Sequence, residues 1–126
     1  MISQEKDYTI MIVDDDPLMR YIMRMIIEES GYIVVAEAGN GVEAVVKYSE
    51  VRPHIILMDV CMPSKNGIDA TKDIVSFDKN AKVVICSTLG RQELVKVAQD
   101  VGALDVISKP VEIGHLKNVI HRVMQL

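Results

Sequence analysis

The sequence contains no tryptophan, and aromatic residues make up only 4% of it. A flavin site or a base-stacking site is therefore not favoured, because both depend on aromatic rings. The two cysteines, Cys61 and Cys86, do not have the spacing of a zinc site or of a disulfide framework, which favours a reducing cytoplasm. No apolar run approaches the roughly 18 residues of a membrane span, and residues 1–8 are too polar for a signal peptide. These absences predict a cytoplasmic protein that does not enter a membrane.

Basic residues are outnumbered by acidic ones. The chain has 14 Lys and Arg against 18 Asp and Glu, a formal charge of −4 at pH 7. Direct nucleic-acid binding is therefore not expected, because it requires a basic face that neutralises phosphates. The 126 residues allow one domain, and the hydrophobic fraction of 49% is large enough to form a core without disulfides or metal ions.

Short β-rich segments alternate with segments of helical periodicity along the chain. The pattern predicts strands at 9–13, 33–38, 54–58, 82–86 and 104–108. It predicts helices from Pro17 up to the stop at Gly31 and at 41–50, 67–76, 91–101 and 112–125. This alternation predicts one α/β domain, residues 9–126 after a short polar lead at 1–8, in which helices cover both faces of a parallel sheet.

The apolar residues also predict which segments are buried. The strands at 9–13, 54–58 and 82–86 are almost continuously apolar, which is typical of strands covered on both faces. The first and last helices each carry a stripe of the kind that faces a core. The stripes are Leu18, Ile22, Met25 and Ile26 in the first helix, and Ile113, Leu116, Ile120 and Val123 in the last.

Polar residues follow four of the predicted strands. They are Asp14, Asp15 and Asp16 after the first strand, Asp59 after the third, Ser87 and Thr88 after the fourth, and Lys109 after the fifth. The carboxyl ends of parallel strands form one edge of a sheet, and ligands bind there. Taken singly, each Asp is also typical of a helix cap, and this interpretation is preferred for Asp16, which precedes Pro17.

The crowding of these carboxylates predicts a bound cation. Carboxylates within about 5 Å of one another repel by roughly 3 kcal/mol per pair at an effective dielectric of about 20. A hard divalent ion with oxygen ligands, Mg²⁺, offsets that repulsion and prefers one or two carboxylates together with phosphate oxygens. A carboxylate beside Mg²⁺, a lysine and a hydroxyl group together provide the parts for phosphoryl transfer.

Four motifs, each at the end of a predicted strand, resemble those of the response-regulator receiver domains of two-component signalling. They are VDDD at 13–16, MDVCMPSKNG at 58–67, CSTLG at 86–90 and SKP at 108–110. The second fits the pattern D-x-x-M-P-x-x-x-G at every fixed position from Asp59, and the resemblance extends from Thr9 to Leu126. It implies a flavodoxin-like, doubly wound fold with a five-stranded parallel sheet in the order 2-1-3-4-5 and five helices.

The resemblance also implies a phosphorylation site that holds a metal ion. Asp59 is the expected phosphoacceptor. Asp15 is the expected direct ligand of Mg²⁺, and Asp14 is expected to act mainly through a bound water. Cys61 is expected to contribute its backbone carbonyl rather than its thiol.

Two further residues are expected to contact the phosphoryl group. The hydroxyl of Ser87 is expected to move toward it, and Lys109 is expected to pair with its oxygens, or with Asp59 before phosphorylation. The Lys109-Pro110 bond is expected to be cis, since only X-Pro bonds adopt cis at small cost. The family often has Tyr or Phe three residues before the lysine, whereas this sequence has Val106, so a switch based on an aromatic ring is not expected.

The implied function is a signalling switch. A sensor histidine kinase or a histidine phosphotransfer protein is the expected donor, and a downstream protein is expected to bind the face formed by helix 4, strand 5 and helix 5. The only reactions expected are self-phosphorylation and autodephosphorylation. A single-domain, chemotaxis-type regulator is favoured, and the alternative is the N-terminal receiver of a longer regulator with a DNA-binding or enzymatic output domain.

Two other interpretations are weaker. A haloacid-dehalogenase-type phosphatase would use Asp14 and Asp16 as its D-x-D motif, but that family needs an acidic pair after the lysine, and only Glu112 follows Lys109. That alternative also leaves the motif at Asp59 unexplained. A module that only binds partners would not need the complete set of acceptor residues.

Overall fold

The sheet of this protein has five parallel strands, in a computed structural model that describes residues 7–126. The strands are β1 (Thr9–Val13), β2 (Ile33–Ala38), β3 (Ile55–Asp59), β4 (Val83–Ser87) and β5 (Asp105–Ser108). The helices are α1 (Pro17–Glu29), α2 (Gly41–Val51), α3 (Gly67–Phe77), α4 (Arg91–Val101) and α5 (Ile113–Met124). The strand order β2-β1-β3-β4-β5 confirms the prediction, whereas residues 1–6 of the predicted lead lie outside the described residues.

Three strands differ from their predicted bounds by one residue. β3 and β4 begin and end one residue later than predicted, and β5 begins one residue later. In the ladder, Asp59 pairs with Cys86, and Ser87 pairs with Ser108. Strand pairing uses only backbone groups, so a polar side chain does not end a strand whose ladder continues. Asp59 and Ser87 therefore belong to the sheet itself rather than to the loops that follow it.

The helices form a layer on each face of the sheet. On one face, α1 and α5 pack against residues such as Ile12, Leu57 and Ile107, and α2, α3 and α4 cover the other face, where Met58 and Ile85 are buried. The three strands that were predicted to be covered on both faces, β1, β3 and β4, have buried residues on both faces and occupy the middle of the sheet. Within residues 7–126, no helix has the length and apolar character needed to cross a membrane.

The predicted core stripe of α1 is wrong in part. The sheet buries Met23 and Ile27, whereas Leu18, Ile22 and Met25 are 65%, 40% and 52% exposed. Because α1 is apolar on more than one side, periodicity alone does not decide which side faces the sheet. In α5 the stripe is buried from Leu116 onward and includes Val119, but Ile113 in the first turn is exposed.

The strand order opens a crevice at the carboxyl edge of the sheet. After β1 the chain crosses to the edge strand β2 and then returns past β1 to β3. The segments that follow β1 and β3 therefore leave the sheet in opposite directions, which is the position where doubly wound folds bind ligands. Asp14, Asp15 and Asp59 lie at this point of the sheet.

Candidate functional site

Three carboxylates lie together at the carboxyl edge of the sheet. Asp14 and Asp15 follow β1, and Asp59 is the last residue of β3. One carboxylate oxygen from each lies within 4.8 Å of the other two. Asp14 is buried, Asp59 is half-buried and Asp15 is exposed. The acidic residues that the sequence singled out are therefore adjacent in space, and Asp15 forms the open side of the cluster.

Lys109 lies between two of these carboxylates. Its Nζ donates a hydrogen bond to Asp14 Oδ2 at 2.6 Å and another to Asp59 Oδ1 at 3.2 Å. Only 10% of the lysine side chain is exposed, so its charge needs partners within the protein. The Lys109-Pro110 peptide bond that follows is cis, as predicted. One ammonium group thus serves two carboxylates, and the cluster as a whole remains negative.

Burial and charge act in opposite directions on the two central groups. Burial raises the pKa of Asp59 above its ordinary value and the Asp14 carboxylate adds to this, while the Lys109 ammonium opposes it. Burial alone would lower the pKa of Lys109, but the hydrogen bond and charge of Asp14 together with the charge of Asp59 outweigh it and raise that pKa. Lys109 therefore stays protonated, and Asp59 is a more basic oxygen nucleophile than an ordinary aspartate.

The remaining candidate residues line a cleft of about 270 Å³ around the carboxylates. Ser87 is buried at the edge of this cleft, and its Oγ accepts a hydrogen bond from the backbone N–H of Leu89 at 3.0 Å. A hydroxyl that accepts one hydrogen bond can still donate its own proton. Cys61 is exposed at the mouth of the cleft. The role of its backbone carbonyl as a metal ligand stays a prediction.

Gly67 keeps the segment after β3 close to the site. Its backbone N–H donates to Val60 O at 2.9 Å, and a Cβ added at this position would lie 1.8 Å from the carbonyl oxygen of Asp59. No side chain fits in that space, so glycine is required here because the two backbones approach so closely. This steric requirement is a physical reason for the last glycine of the D-x-x-M-P-x-x-x-G motif.

Sequence reasoning missed Arg20, an arginine of α1 that reaches back to the aspartates that follow β1. Its Nη1 donates to the backbone carbonyl of Asp14 at 2.6 Å, and its Nε donates to Glu37 Oε1 at 3.1 Å. A possible signal was the position of Arg20 in the helix that follows the acidic residues. Which backbone oxygen a long side chain reaches nevertheless depends on the tertiary structure, and residue spacing does not predict it.

Sequence reasoning also missed a buried carboxylate at the start of β5. Asp105, whose side chain is 4% exposed, accepts a hydrogen bond from Arg91 at 2.7 Å and another from Arg122. Arg91 is the first residue of α4, and it also donates to the carbonyl oxygen of Val106 at 2.6 Å. The side chain of Val106 is buried in the same cluster as Leu94 of α4. Arg91 therefore connects the start of α4 to β5.

The residues at the carboxyl edge suit a hard divalent cation. Three carboxylates face one ammonium group, which leaves an excess of negative charge in a cleft where two of the carboxylates are at least partly buried. Oxygen donors of this type are those that Mg²⁺ prefers. A basic carboxylate beside such a cation, a protonated lysine and a hydroxyl group can together accept and stabilise a phosphoryl group.

Comparison with known proteins agrees with this arrangement. Residues 10–121 match the response regulator receiver domain. The chain is 45% identical to the chemotaxis protein CheY of Thermotoga maritima, over 90% of this chain and 95% of that protein. It is 39% identical to CheY of Bacillus subtilis, over 93% and 98%. The structure of the CheX–CheY–BeF3–Mg²⁺ complex from Borrelia burgdorferi aligns with a TM-score of 0.88 at 32% identity, over 92% of this chain and 88% of that chain. The chain therefore belongs to the response regulator receiver domain family.

Proposed function

We propose that this protein is a chemotaxis-type response regulator that takes a phosphoryl group onto Asp59. The donor is the phosphohistidine of a sensor histidine kinase or of a histidine phosphotransfer protein, and the reaction takes place in the cytoplasm. Residues 9–126 form the receiver domain. The family membership accounts for the motif at Asp59, which a haloacid-dehalogenase-type phosphatase left unexplained.

The position of Lys109 is the observation that carries this proposal. Its ammonium group lies within hydrogen-bond distance of both Asp14 and Asp59, at the edge of a half-buried cleft. A lysine that only neutralised surface charge would gain little from such burial. In this position it stabilises the ionised Asp59 before transfer, and its ammonium group is placed to pair with the phosphoryl oxygens after transfer.

The transfer is a displacement at phosphorus. A carboxylate oxygen of Asp59 forms the new P–O bond, and the P–N bond to the donor imidazole breaks, with its electron pair remaining on the imidazole nitrogen. Asp14, Asp15, Asp59 and the backbone carbonyl of Cys61 would hold Mg²⁺, which supplies positive charge next to the transferred oxygens. Apart from this transfer and the later hydrolysis of the acyl phosphate by water, no enzymatic activity is proposed.

The acyl phosphate changes the segment that connects β4 to α4. We expect the Ser87 hydroxyl to move toward the phosphoryl group and to alter residues 88–91. The new hydrogen bonds from Ser87 and Lys109 contribute roughly 1.5–3 kcal/mol each, because their acceptor is charged. Val106 is buried and β-branched, and it has no ring to rotate, so we expect β5 to stay nearly fixed.

The output partner is a protein that binds the face formed by α4, β5 and α5. The similarity to CheY proteins supports a chemotaxis pathway, because this chain spans nearly their whole length. Arg91 and Arg122 lie on that face and are more than half exposed. A partner that senses phosphorylation must distinguish two arrangements of this face, since only differential affinity shifts an equilibrium.

Phosphorylation with a small donor tests the proposal. We expect acetyl phosphate with Mg²⁺ to add one phosphoryl group, seen by intact-mass analysis, and chelation of Mg²⁺ to abolish the addition. The Asp59→Asn protein is expected to remain unlabelled, and Asp16→Asn is the matched control, because Asp16 caps α1 and does not belong to the carboxylate cluster. Undiminished labelling of Asp59→Asn would refute the proposal.

Beryllofluoride, a mimic of the phosphoryl group, tests the route of the signal. We expect large amide chemical-shift changes at residues 87–91 and small ones at 105–107. The Ser87→Ala protein is expected to accept a phosphoryl group and to lose most of the change at 88–91. An equal response without the hydroxyl would show that another route carries the signal.

A further inference from the structure

Arg20 joins the segment that follows β1, residues 14–16, to the edge strand β2. One of its terminal nitrogens, Nη1, donates to the carbonyl oxygen of Asp14 at 2.6 Å, and its Nε donates to the carboxylate of Glu37 on β2 at 3.1 Å. The side chains of Arg20 and Glu37 are 22% and 29% exposed, so both are largely screened from solvent. The guanidinium group thus makes two directed contacts with two different segments of the chain.

A hydrogen bond to the carbonyl oxygen of Asp14 can orient the next residue, Asp15. This oxygen belongs to the peptide group that joins Asp14 to Asp15, and that group is planar. A hydrogen bond to the oxygen therefore restricts the rotation of the whole plane, and with it the direction in which the Asp15 side chain leaves the backbone. Within residues 7–126, the carboxylate of Asp15 has no hydrogen bond or ion pair of its own. Its placement consequently depends on its backbone.

Glu37 in turn holds Arg20 in place. Its other carboxylate oxygen accepts from Nε of Arg24 at 2.8 Å, and its backbone carbonyl accepts from the ammonium group of Lys47. The carboxylate also offsets the charge of Arg20, which would otherwise repel a cation at the neighbouring site. The planar fork of an arginine can serve a carbonyl and a carboxylate at once, whereas the point charge of a lysine cannot reproduce both contacts.

We propose that Arg20 is a positioning residue for the divalent-cation site: through the carbonyl of Asp14, it holds the Asp14–Asp15 peptide in the orientation that presents Asp15 to the ion. The inference rests on the proposed function, because it assumes that the carboxylate cluster binds Mg²⁺. An effect of charge and an effect of orientation predict opposite changes in Mg²⁺ affinity when Arg20 is replaced. If only charge mattered, removing the cationic side chain would strengthen Mg²⁺ binding, whereas loss of orientation weakens it.

Mg²⁺ titration by calorimetry separates the two effects. We expect Arg20→Met and Arg20→Lys each to weaken Mg²⁺ binding by roughly tenfold, the lower end of the range for residues that orient metal ligands. Arg24→Met is the matched control, because Arg24 contacts the same Glu37 carboxylate but makes no contact with Asp14. The control is expected to stay within about twofold of the unsubstituted protein. A second readout is the Asp15 backbone amide resonance without Mg²⁺, which is expected to shift in both Arg20 variants and not in Arg24→Met.

The possible outcomes either support the inference or overturn it. Tighter or unchanged Mg²⁺ binding in Arg20→Met overturns it, and so does unchanged affinity in Arg20→Lys, which would show that the two directed contacts of the guanidinium group are not required. If Arg20→Met does not fold, Arg20→Lys decides alone, with thermal unfolding as the check on its fold. Failure of the proposed function would look different, because the unsubstituted protein itself would then bind no Mg²⁺ and accept no phosphoryl group.

Discussion

The two segments that meet at the cleft are held in very different ways. The segment after β1, residues 14–16, is called here the acidic loop, and the segment after β4, residues 88–90, is called the hydroxyl loop. In the acidic loop, the backbone N–H of Asp16 donates to Asp14 Oδ1 at 2.9 Å, and Arg20 donates to the carbonyl of Asp14. Asp16 also caps α1 by accepting from the N–H of Leu18 at 2.9 Å.

The hydroxyl loop has fewer such contacts. All three of its residues are exposed, and Gly90 at the start of α4 provides no side-chain cap. One end is connected to the sheet by the hydrogen bond from Leu89 N–H to Ser87 Oγ, and the other by the contacts of Arg91 with Asp105 and Val106. The difference fits the two tasks proposed for these loops. A loop that presents a metal ligand benefits from a single geometry, whereas a loop that transmits a signal needs a second arrangement of similar free energy.

The largest effect is expected at Lys109, which contacts the acidic loop and the residue just before the hydroxyl loop. Its ammonium group pairs with Asp14, and its backbone N–H donates to the carbonyl of Ser87 at 2.8 Å. Replacement by Met leaves two largely buried carboxylates without their cation, so the free energy of unfolding is expected to fall by about 3 kcal/mol at pH 7. Urea unfolding measures the loss, and added Mg²⁺ is expected to recover part of it, because the ion offsets the same carboxylates.

Lys96→Met is the control for Lys109→Met. Lys96 is 81% exposed and pairs with Asp100 one helical turn away, so its replacement is expected to change the free energy of unfolding by less than about 0.5 kcal/mol. Equal losses in the two variants would show that the central lysine does not stabilise the carboxylates.

A smaller effect is expected at Arg91, which holds the far end of the hydroxyl loop. Arg91→Met removes one of two arginine partners of the buried Asp105 carboxylate. Because Arg91 is 55% exposed and Arg122 remains, the cost is expected to be only about 1–2 kcal/mol. Hydrogen exchange is expected to become faster in the first turn of α4 and to stay unchanged in the first turn of α1.

Arg122→Met is the matched variant for Arg91→Met. It removes the other arginine from the same carboxylate without touching α4. A similar loss of stability is expected, with no change of hydrogen exchange in the first turn of α4. If both variants accelerate that exchange equally, Asp105 rather than the direct contact of Arg91 with β5 holds the start of the helix.

At Asp16 the expected effect is about 1 kcal/mol, the usual value of a lost N-cap. The Asp16→Ala protein is expected to unfold at lower urea concentration and to exchange amide protons faster at the start of α1. Labelling of Asp59 by acetyl phosphate is expected to persist, since Asp16 is not one of the clustered carboxylates. Complete loss of labelling would mean that Asp16 takes part in the site itself.

The smallest effect is expected from adding a cap to the hydroxyl loop. Gly90 has φ −64°, so it needs no left-handed conformation, and the nearest atoms to a Cβ added there belong to the flexible carboxylate of Glu93. Gly90→Asn is expected to change the free energy of unfolding by only a few tenths of a kcal/mol, because glycine is itself a fair N-cap. If the signal requires a loosely held loop, this variant is also expected to reduce the amide shifts that beryllofluoride induces at 87–91.

The contrast between the two loops could be predicted only in part. Pro17 after three aspartates indicated a helix start with a ready cap, and Asp16 is that cap. The hydroxyl loop was predicted from the CSTLG motif, and the absence of a side-chain cap at Gly90 can be read from the sequence once the helix start is known. The contacts of Arg20 and Arg91 could not be predicted, because each joins segments that are adjacent only after the sheet has formed.

Local patterns were sufficient for the alternation of strands and helices and for the position of the polar residues at one edge of the sheet. These follow from periodicity, turn chemistry and sterics, which act over a few residues. Tertiary structure alone decided which side of α1 faces the sheet, that Lys109 contacts Asp14 as well as its expected partner Asp59, and that Arg20 reaches the carbonyl of Asp14. The physical reason is that a long side chain, or a helix that is apolar on more than one side, has several local arrangements of similar energy, and only packing against distant segments selects one.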